Sequence, residues 1–277
     1  MQNILTVSSL SIIFMSVSIA LSVLVPLGLI IYMGIKKRIN WKALIFGAVL
    51  FVVFVYLLEA TMHRFVLGTD PTKSAVYQNP LIYMFYGAFA AGIFEETARW
   101  LGFKFLIRVR ENESIDTGIS YGLGHGGIEA ILIGGFSMIS NLIVSVMLNS
   151  GALKSVTAAM NSQQLDAFNT GMAALTQTES YVFLLSGIER VTALVLQISL
   201  SLFVLKAVRE RKWKYFLLAI LMHAAVDFVA IMFQRGYIQN MLLLEGLVLV
   251  MTVVIAITAF KSYIKTDLIN SGISKVE

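Results

Sequence analysis

The chain has 277 residues, 58% of them apolar and 13% charged, with 21 Lys and Arg against 16 Asp and Glu. A soluble domain carries roughly 25% charged residues, and the mean hydropathy here is +0.82. With three prolines and no cysteine, this profile excludes a soluble enzyme, a disordered chain, a disulfide scaffold and a thiolate-ligated metal site. It predicts an all-α, polytopic transmembrane helical bundle forming a single integral-membrane domain over 1–277. The net charge of +5 falls between the apolar runs rather than on one soluble face, so no nucleic-acid partner is expected.

A spanning helix needs about 20 mostly apolar residues. Seven segments qualify: 4–33, 41–62, 80–103, 118–148, 181–205, 213–233 and 238–260. No Lys or Arg precedes the first, which therefore lacks the basic start of a cleaved signal peptide and reads as a permanent helix. The fourth carries Gly118, Gly122, Gly124, Gly126, Gly127, Gly134 and Gly135. Gly118-x-x-x-Gly122-x-x-x-Gly126 suits close helix packing; a helix so rich in glycine can also break where its backbone faces a cavity.

The basic residues set the orientation. One set of connections holds Lys36, Lys37, Arg38 and Lys42, then Lys104, Arg108 and Arg110, then Lys206, Arg209, Arg211, Lys212 and Lys214, and finally Lys261, Lys265 and Lys275. The alternate set holds Arg64, Lys73, Lys154 and Arg235. The bias is fifteen to four and alternates with each crossing, which predicts an external N-terminus and a cytoplasmic C-terminus. Residues 149–180 are polar with an apolar residue every three or four positions, fitting either an external loop or short amphipathic helices.

Ionisable residues interrupt the spans. The third has Glu95, Glu96 and Arg99, the fourth His125 and Glu129, the fifth Glu189 and Arg190, the sixth His223 and Asp227, and the seventh Glu245. Glu59 and His63 stand at the outer end of the second, within reach of water. A charged side chain near a helix centre costs roughly 2.5–3.5 kcal/mol on insertion scales, on the order of 20 kcal/mol for the charged set left unpaired. That exceeds the about 5–15 kcal/mol of net stability of a folded protein. These groups must pair, bind an ion or face a water-filled cavity.

Depth and spacing point to one site. At 1.5 Å per residue, the third, fourth and sixth spans bring Glu95, Glu96, His125 and His223 to a similar level in the cytoplasmic half of the membrane, with Glu129 and Asp227 about 6 Å deeper. Glu95 and Arg99, His125 and Glu129, and His223 and Asp227 are i,i+4 pairs, each on one helix face. Glu189 and Arg190 diverge by about 100°, so each is expected to find a partner elsewhere, Arg190 among the acidic residues of the cluster. Two imidazoles and several carboxylates can hold Zn²⁺ and a polarised water, with His125, His223, Glu96, Glu129 and Asp227 as candidate ligands. They can equally do acid–base chemistry without a metal. No His-Glu-x-x-His is present.

Phe94-Glu95-Glu96-Thr97-Ala98-Arg99, Tyr121-x-x-x-His125 and His223-x-x-x-Asp227, in that order, resemble the three motifs of the CAAX-protease and bacteriocin-processing superfamily: Glu-Glu-x-x-x-Arg, Phe-x-x-x-His and His-x-x-x-Asn or Asp. The shorter Glu-Glu-x-x-Arg and the Gly-rich Tyr121-Gly-Leu-Gly-His125-Gly-Gly-Ile-Glu129 are similar to the YhfC-like group of bacterial intramembrane metalloproteases, and the likeness runs from the first span to the seventh. The resemblance implies intramembrane hydrolysis of a peptide bond in a membrane-associated substrate, in a bacterial plasma membrane. It implies that Glu95 and His125 activate water, that His223 and Asp227 stabilise the oxyanion or hold a metal, and that Glu96 and Arg99 position the site. Two departures stand out: Glu95 rather than Glu96 becomes the i,i+4 partner of Arg99, which exchanges the roles open to the two carboxylates, and Tyr121 replaces Phe.

A proton-coupled transporter would also use buried Glu, Asp, His and Arg, but the repeat usual in such folds is not visible. A non-catalytic immunity factor or scaffold could keep the cluster for assembly. A rhodopsin-like photoreceptor needs a lysine deep in its last span, and 238–260 contains none.

Overall fold

The computed structural model describes residues 6–106 and 114–270, without the side chains of Ala174 and of 264–270. The first residues of the 4–33 span, and Arg108, Arg110 and Lys275 among the basic connections, lie outside the described residues.

The chain is helical throughout, with no strand among the described residues. In order come α1 (Ser9–Ile35), α2 (Trp41–Phe51), which runs through a π-helical stretch (Val52–Glu59) into α3 (Ala60–Leu67), a 3₁₀ turn (Pro71–Lys73), α4 (Ala75–Gln78) and α5 (Pro80–Leu106). Next, α6 (Ile115–Glu129) passes through a second π-helical stretch (Ala130–Gly135) into α7 (Phe136–Asn149). Then follow α8 (Lys154–Ala158), α9 (Ser162–Thr176), α10 (Ser180–Glu210), α11 (Trp213–Gln234) and α12 (Met241–Asn270).

Among the described residues six helices are long and apolar enough to cross a membrane: Ser9–Ile35, Trp41–Leu67, Ile115–Asn149, Ser180–Glu210, Trp213–Gln234 and Met241–Tyr263. The remaining expected span, α5, has 27 residues, but Glu95, Glu96 and Arg99 lower its apolarity. Helix ends follow local chemistry. Asn40 and Asn161 cap α2 and α9, the latter in a reciprocal box with Gln164. Lys37, Gly68, Arg211 and Gly236 stop the helices before them with positive φ.

The chain divides into two compact units. One comprises Met1–Val25 and Ala130–Val191, cored on Val7, Met15, Met138 and Phe183. Here α1 begins later than residue 4 because Asn149 exchanges two hydrogen bonds with the Val7 backbone, at 2.8 and 2.9 Å, and the Ser8 hydroxyl accepts from Ser11 N. Residues 149–180 form α8 and α9. Glu189 and Arg190 pair with each other through Nε at 3.2 Å and through Nη2. From the sequence each is expected to find a partner elsewhere; the two also pair with one another across the divergence of their helix positions.

The other unit comprises Pro26–Glu129 and Thr192–Glu277. Its core is built on Phe103, Tyr121, Leu200, Leu202, Leu205 and Tyr263. Glycine sets how closely its helices approach. A Cβ on Gly124 would run into the Leu44 carbonyl, and one on Gly47 into the Tyr121 carbonyl, so α2 and α6 cross backbone to backbone. Gly118, Gly122 and Gly126 lie against Leu202, Ile198 and Gln197 of α10. The fourth span thus uses its glycines for close packing along α6, and its helix register loosens into the π stretch directly after Glu129.

Candidate metal centre

The second unit gathers the buried polar residues of α5, α6, α10 and α11. On α5, successive turns hold Glu95, Glu96 and Arg99, with Arg99 and Glu96 fully buried. The Arg99 guanidinium lies between both carboxylates, 2.5 Å from Glu96 Oε1 through Nη1 and 3.4 Å from Glu95 Oε2 through Nη2. The question of which glutamate partners Arg99 is therefore answered by both. Nη2 also donates to Gln197 Oε1.

His125 enters from α6, held edge-on by Phe51 at 4.9 Å between ring centroids. Its Nε2 lies 2.8 Å from Glu95 Oε2. Tyr121, one turn earlier, donates its hydroxyl to the Ala98 carbonyl at 3.1 Å, so the residue that replaces Phe acts here as a buried packing and tethering group. From α11, His223 places Nδ1 2.7 Å from Glu96 Oε1, and its Nε2 faces Asp227 Oδ2 at 3.5 Å and Glu95 Oε2 at 3.9 Å. A carboxylate on one ring nitrogen fixes the orientation of the other.

Gln197 of α10 carries no charge and so does not stand out among the ionisable groups of the spans; its cue in the sequence is a lone amide inside an apolar span. It is 3% exposed and spends its whole amide on the cluster, with Nε2 donating to Glu129 Oε2 at 2.7 Å and to Glu95 Oε2 at 3.2 Å. Glu59 also differs from expectation. It is buried and bonded to His63 at 3.2 Å, and His63 in turn meets the Tyr86 hydroxyl at 2.7 Å.

Glu95, His125 and Glu129, all buried, each offer a ligand atom within 4.8 Å of the others. This is the grouping best placed for a metal ion among the described residues. Of the candidate ligands, His125 and Glu129 fall in this grouping and Glu95 joins them, while Glu96, His223 and Asp227 stand beside it, Glu96 against Arg99 and His223. The residues fit a cation on a further count: His125 Nδ1 is buried without a hydrogen-bond partner, and such atoms are rare unless a ligand satisfies them. Oxygen and nitrogen donors without sulfur suit Zn²⁺ and its neighbours in the first transition row. Exposure is uneven: Arg99, Glu96 and His125 side chains have 0%, whereas Asp227 keeps 30%. The cluster opens on its Asp227 side.

The fold and the cluster define an integral membrane protein that encloses carboxylates and imidazoles among its helices. The family model described as "YhfC intramembrane metalloprotease" matches residues 21–248. The chain belongs to that family. It is also 38% identical, over 87% of its own length and 92% of the relative's, to the Bacillus subtilis (strain 168) protein named "Uncharacterized membrane protein YhfC". No solved structure matches at a significant level.

Proposed function

We propose that the protein is an intramembrane metalloprotease of the bacterial plasma membrane, hydrolysing a peptide bond in a membrane-associated substrate. The observation that carries this reading is the convergence of Glu95, His125 and Glu129 within 4.8 Å in the buried interior of spanning helices. These three would hold a divalent cation, with Zn²⁺ the best match to the donors. When bound, the cation would polarise a water molecule and the scissile carbonyl.

The protein's own groups divide the remaining work. Glu95, whose Oε2 lies 2.8 Å from His125 Nε2, would hold the cation through one carboxylate oxygen and take the proton from the attacking water through the other. Arg99 and Gln197 fix the Glu95 carboxylate at the same oxygen, Oε2, that meets His125. Glu96 orients His223 so that Nε2 can donate to the developing oxyanion, and Asp227 borders the opening through which the peptide would arrive. Burial of the whole set strengthens each of these interactions relative to water. The direct Glu95–His125 hydrogen bond also supports a metal-free version in which that pair alone activates water.

Metal content of the detergent-purified protein, beside cleavage of a panel of membrane peptides, tests the reading. Near-stoichiometric metal and cleavage, both lost in His125→Ala, are expected. Unchanged cleavage in a Glu95→Gln, His125→Ala double variant would overturn it, and cleavage without metal would select the Glu95–His125 version.

A further inference from the structure

A separate cavity of about 170 Å³ lies between the end of α5, the end of α10 and the start of α11. Trp100, Trp213 and Phe216 form its aromatic wall, with Trp100 and Trp213 ring centroids 5.3 Å apart and Trp213 and Phe216 5.6 Å apart. Lys104 and Arg211 supply the charge, and among the described residues no carboxylate lines the space. The nearby Glu210 is engaged by Lys212 at 2.9 Å and Lys206 at 3.7 Å. The Lys104 ammonium lies 4.0 Å over the Trp100 ring, so that aromatic face already carries a cation and the cavity favours an anion.

Size narrows the ligand. Pockets that enclose a whole small molecule run to about 300–1,000 Å³, so this cavity seats one group of a larger ligand whose remainder lies outside. Outside it, α11 presents a stripe of apolar side chains at i,i+4 spacing: Trp213, Leu217 and Leu221, exposed at 60%, 55% and 55%. The stripe runs about 12 Å along the helix, away from the cavity. A charged head in the cavity and an apolar chain on the stripe match an amphiphile, and aromatic and basic side chains meet in this way at a membrane–water interface.

We infer that this cavity is a binding site for the phosphate headgroup of an anionic phospholipid, with one acyl chain lying along Trp213, Leu217 and Leu221. The site is independent of the proteolytic reading, since none of its residues belongs to the metal cluster.

Fluorescence tests it directly, because two of the three tryptophans of the chain line the cavity. In a Trp41→Phe background, the protein in neutral detergent is titrated with brominated-chain phosphatidylglycerol or brominated-chain phosphatidylcholine. Quenching by the anionic lipid is expected at a lower mole fraction, by about fivefold for each cation engaged. Lys104→Gln and Arg211→Gln should each remove about one such factor, and Lys104→Arg should keep it. Equal quenching by the two lipids in the parent protein overturns the inference without recourse to any variant. So does a preference that survives the Lys104→Gln, Arg211→Gln pair. Displacement of the brominated lipid by millimolar inorganic phosphate or glycerol 3-phosphate would reassign the site to a soluble phosphate.

Discussion

His223 Nδ1 sits 2.7 Å from Glu96 Oε1, joining residues 127 positions apart in the chain. The same carboxylate oxygen meets Arg99, so Glu96 ties α11 to the charged turn of α5. Under the proposed function this places Glu96 as a positioning residue that holds two other groups.

Replacing Glu96 therefore has a structural cost. Glu96→Ala leaves the fully buried Arg99 with fewer acidic partners, and breaking a buried ion pair from one side costs about 3–5 kcal/mol. We expect thermal unfolding in detergent to shift down accordingly. Glu96→Gln, which keeps the volume and an acceptor oxygen, should lose less stability while still misdirecting His223 and slowing cleavage.

Gln197 offers a sharper separation of stability from chemistry. Gln197→Leu is nearly isosteric but removes the amide that connects Arg99, Glu95 and Glu129. Groups that orient metal ligands are worth about 10–100-fold in metal affinity or activity. A metal titration of the purified variant should show a loss in that range with helical content unchanged.

Metal removal should lower stability in the parent protein alone. A ligand at 100 times its dissociation constant stabilises by about 2.7 kcal/mol. Chelation should bring the melting temperature of the parent down toward that of His125→Ala, and leave the variant's own value where it was. A parent protein indifferent to chelator and to added Zn²⁺ would falsify the proposed centre at Glu95, His125 and Glu129.

The glycine crossing can be tested by adding one methyl group. Gly124→Ala drives a Cβ into the Leu44 carbonyl, whereas a Cβ on Gly246 of α12 meets nothing within 4 Å. Overpacking costs about 1–3 kcal/mol, and because His125 is the next residue, Gly124→Ala should disturb the cluster as well as the crossing. Gly246→Ala should leave both melting temperature and metal content as they were.

The sequence by itself determined the class of this protein. Apolar runs, helical periodicity and the cost of a charge in lipid are properties of consecutive residues. They were enough to mark the membrane-spanning helices and to single out Glu95, Glu96, Arg99, His125, Glu129, His223 and Asp227 as residues needing partners. The order of the motifs carried the family resemblance for the same reason. The tertiary structure decided which side chain meets which. Whether Arg99 reaches Glu95 or Glu96 depends on side-chain rotamers and the rotation of α5. Whether Glu95 or Glu96 joins His125 and Glu129 depends on the rotation of α5 about its axis, while Gly47 and Gly124 set how closely α2 and α6 cross. Gln197 had no charge to announce it and became visible only when α10 packed onto the glycine face of α6.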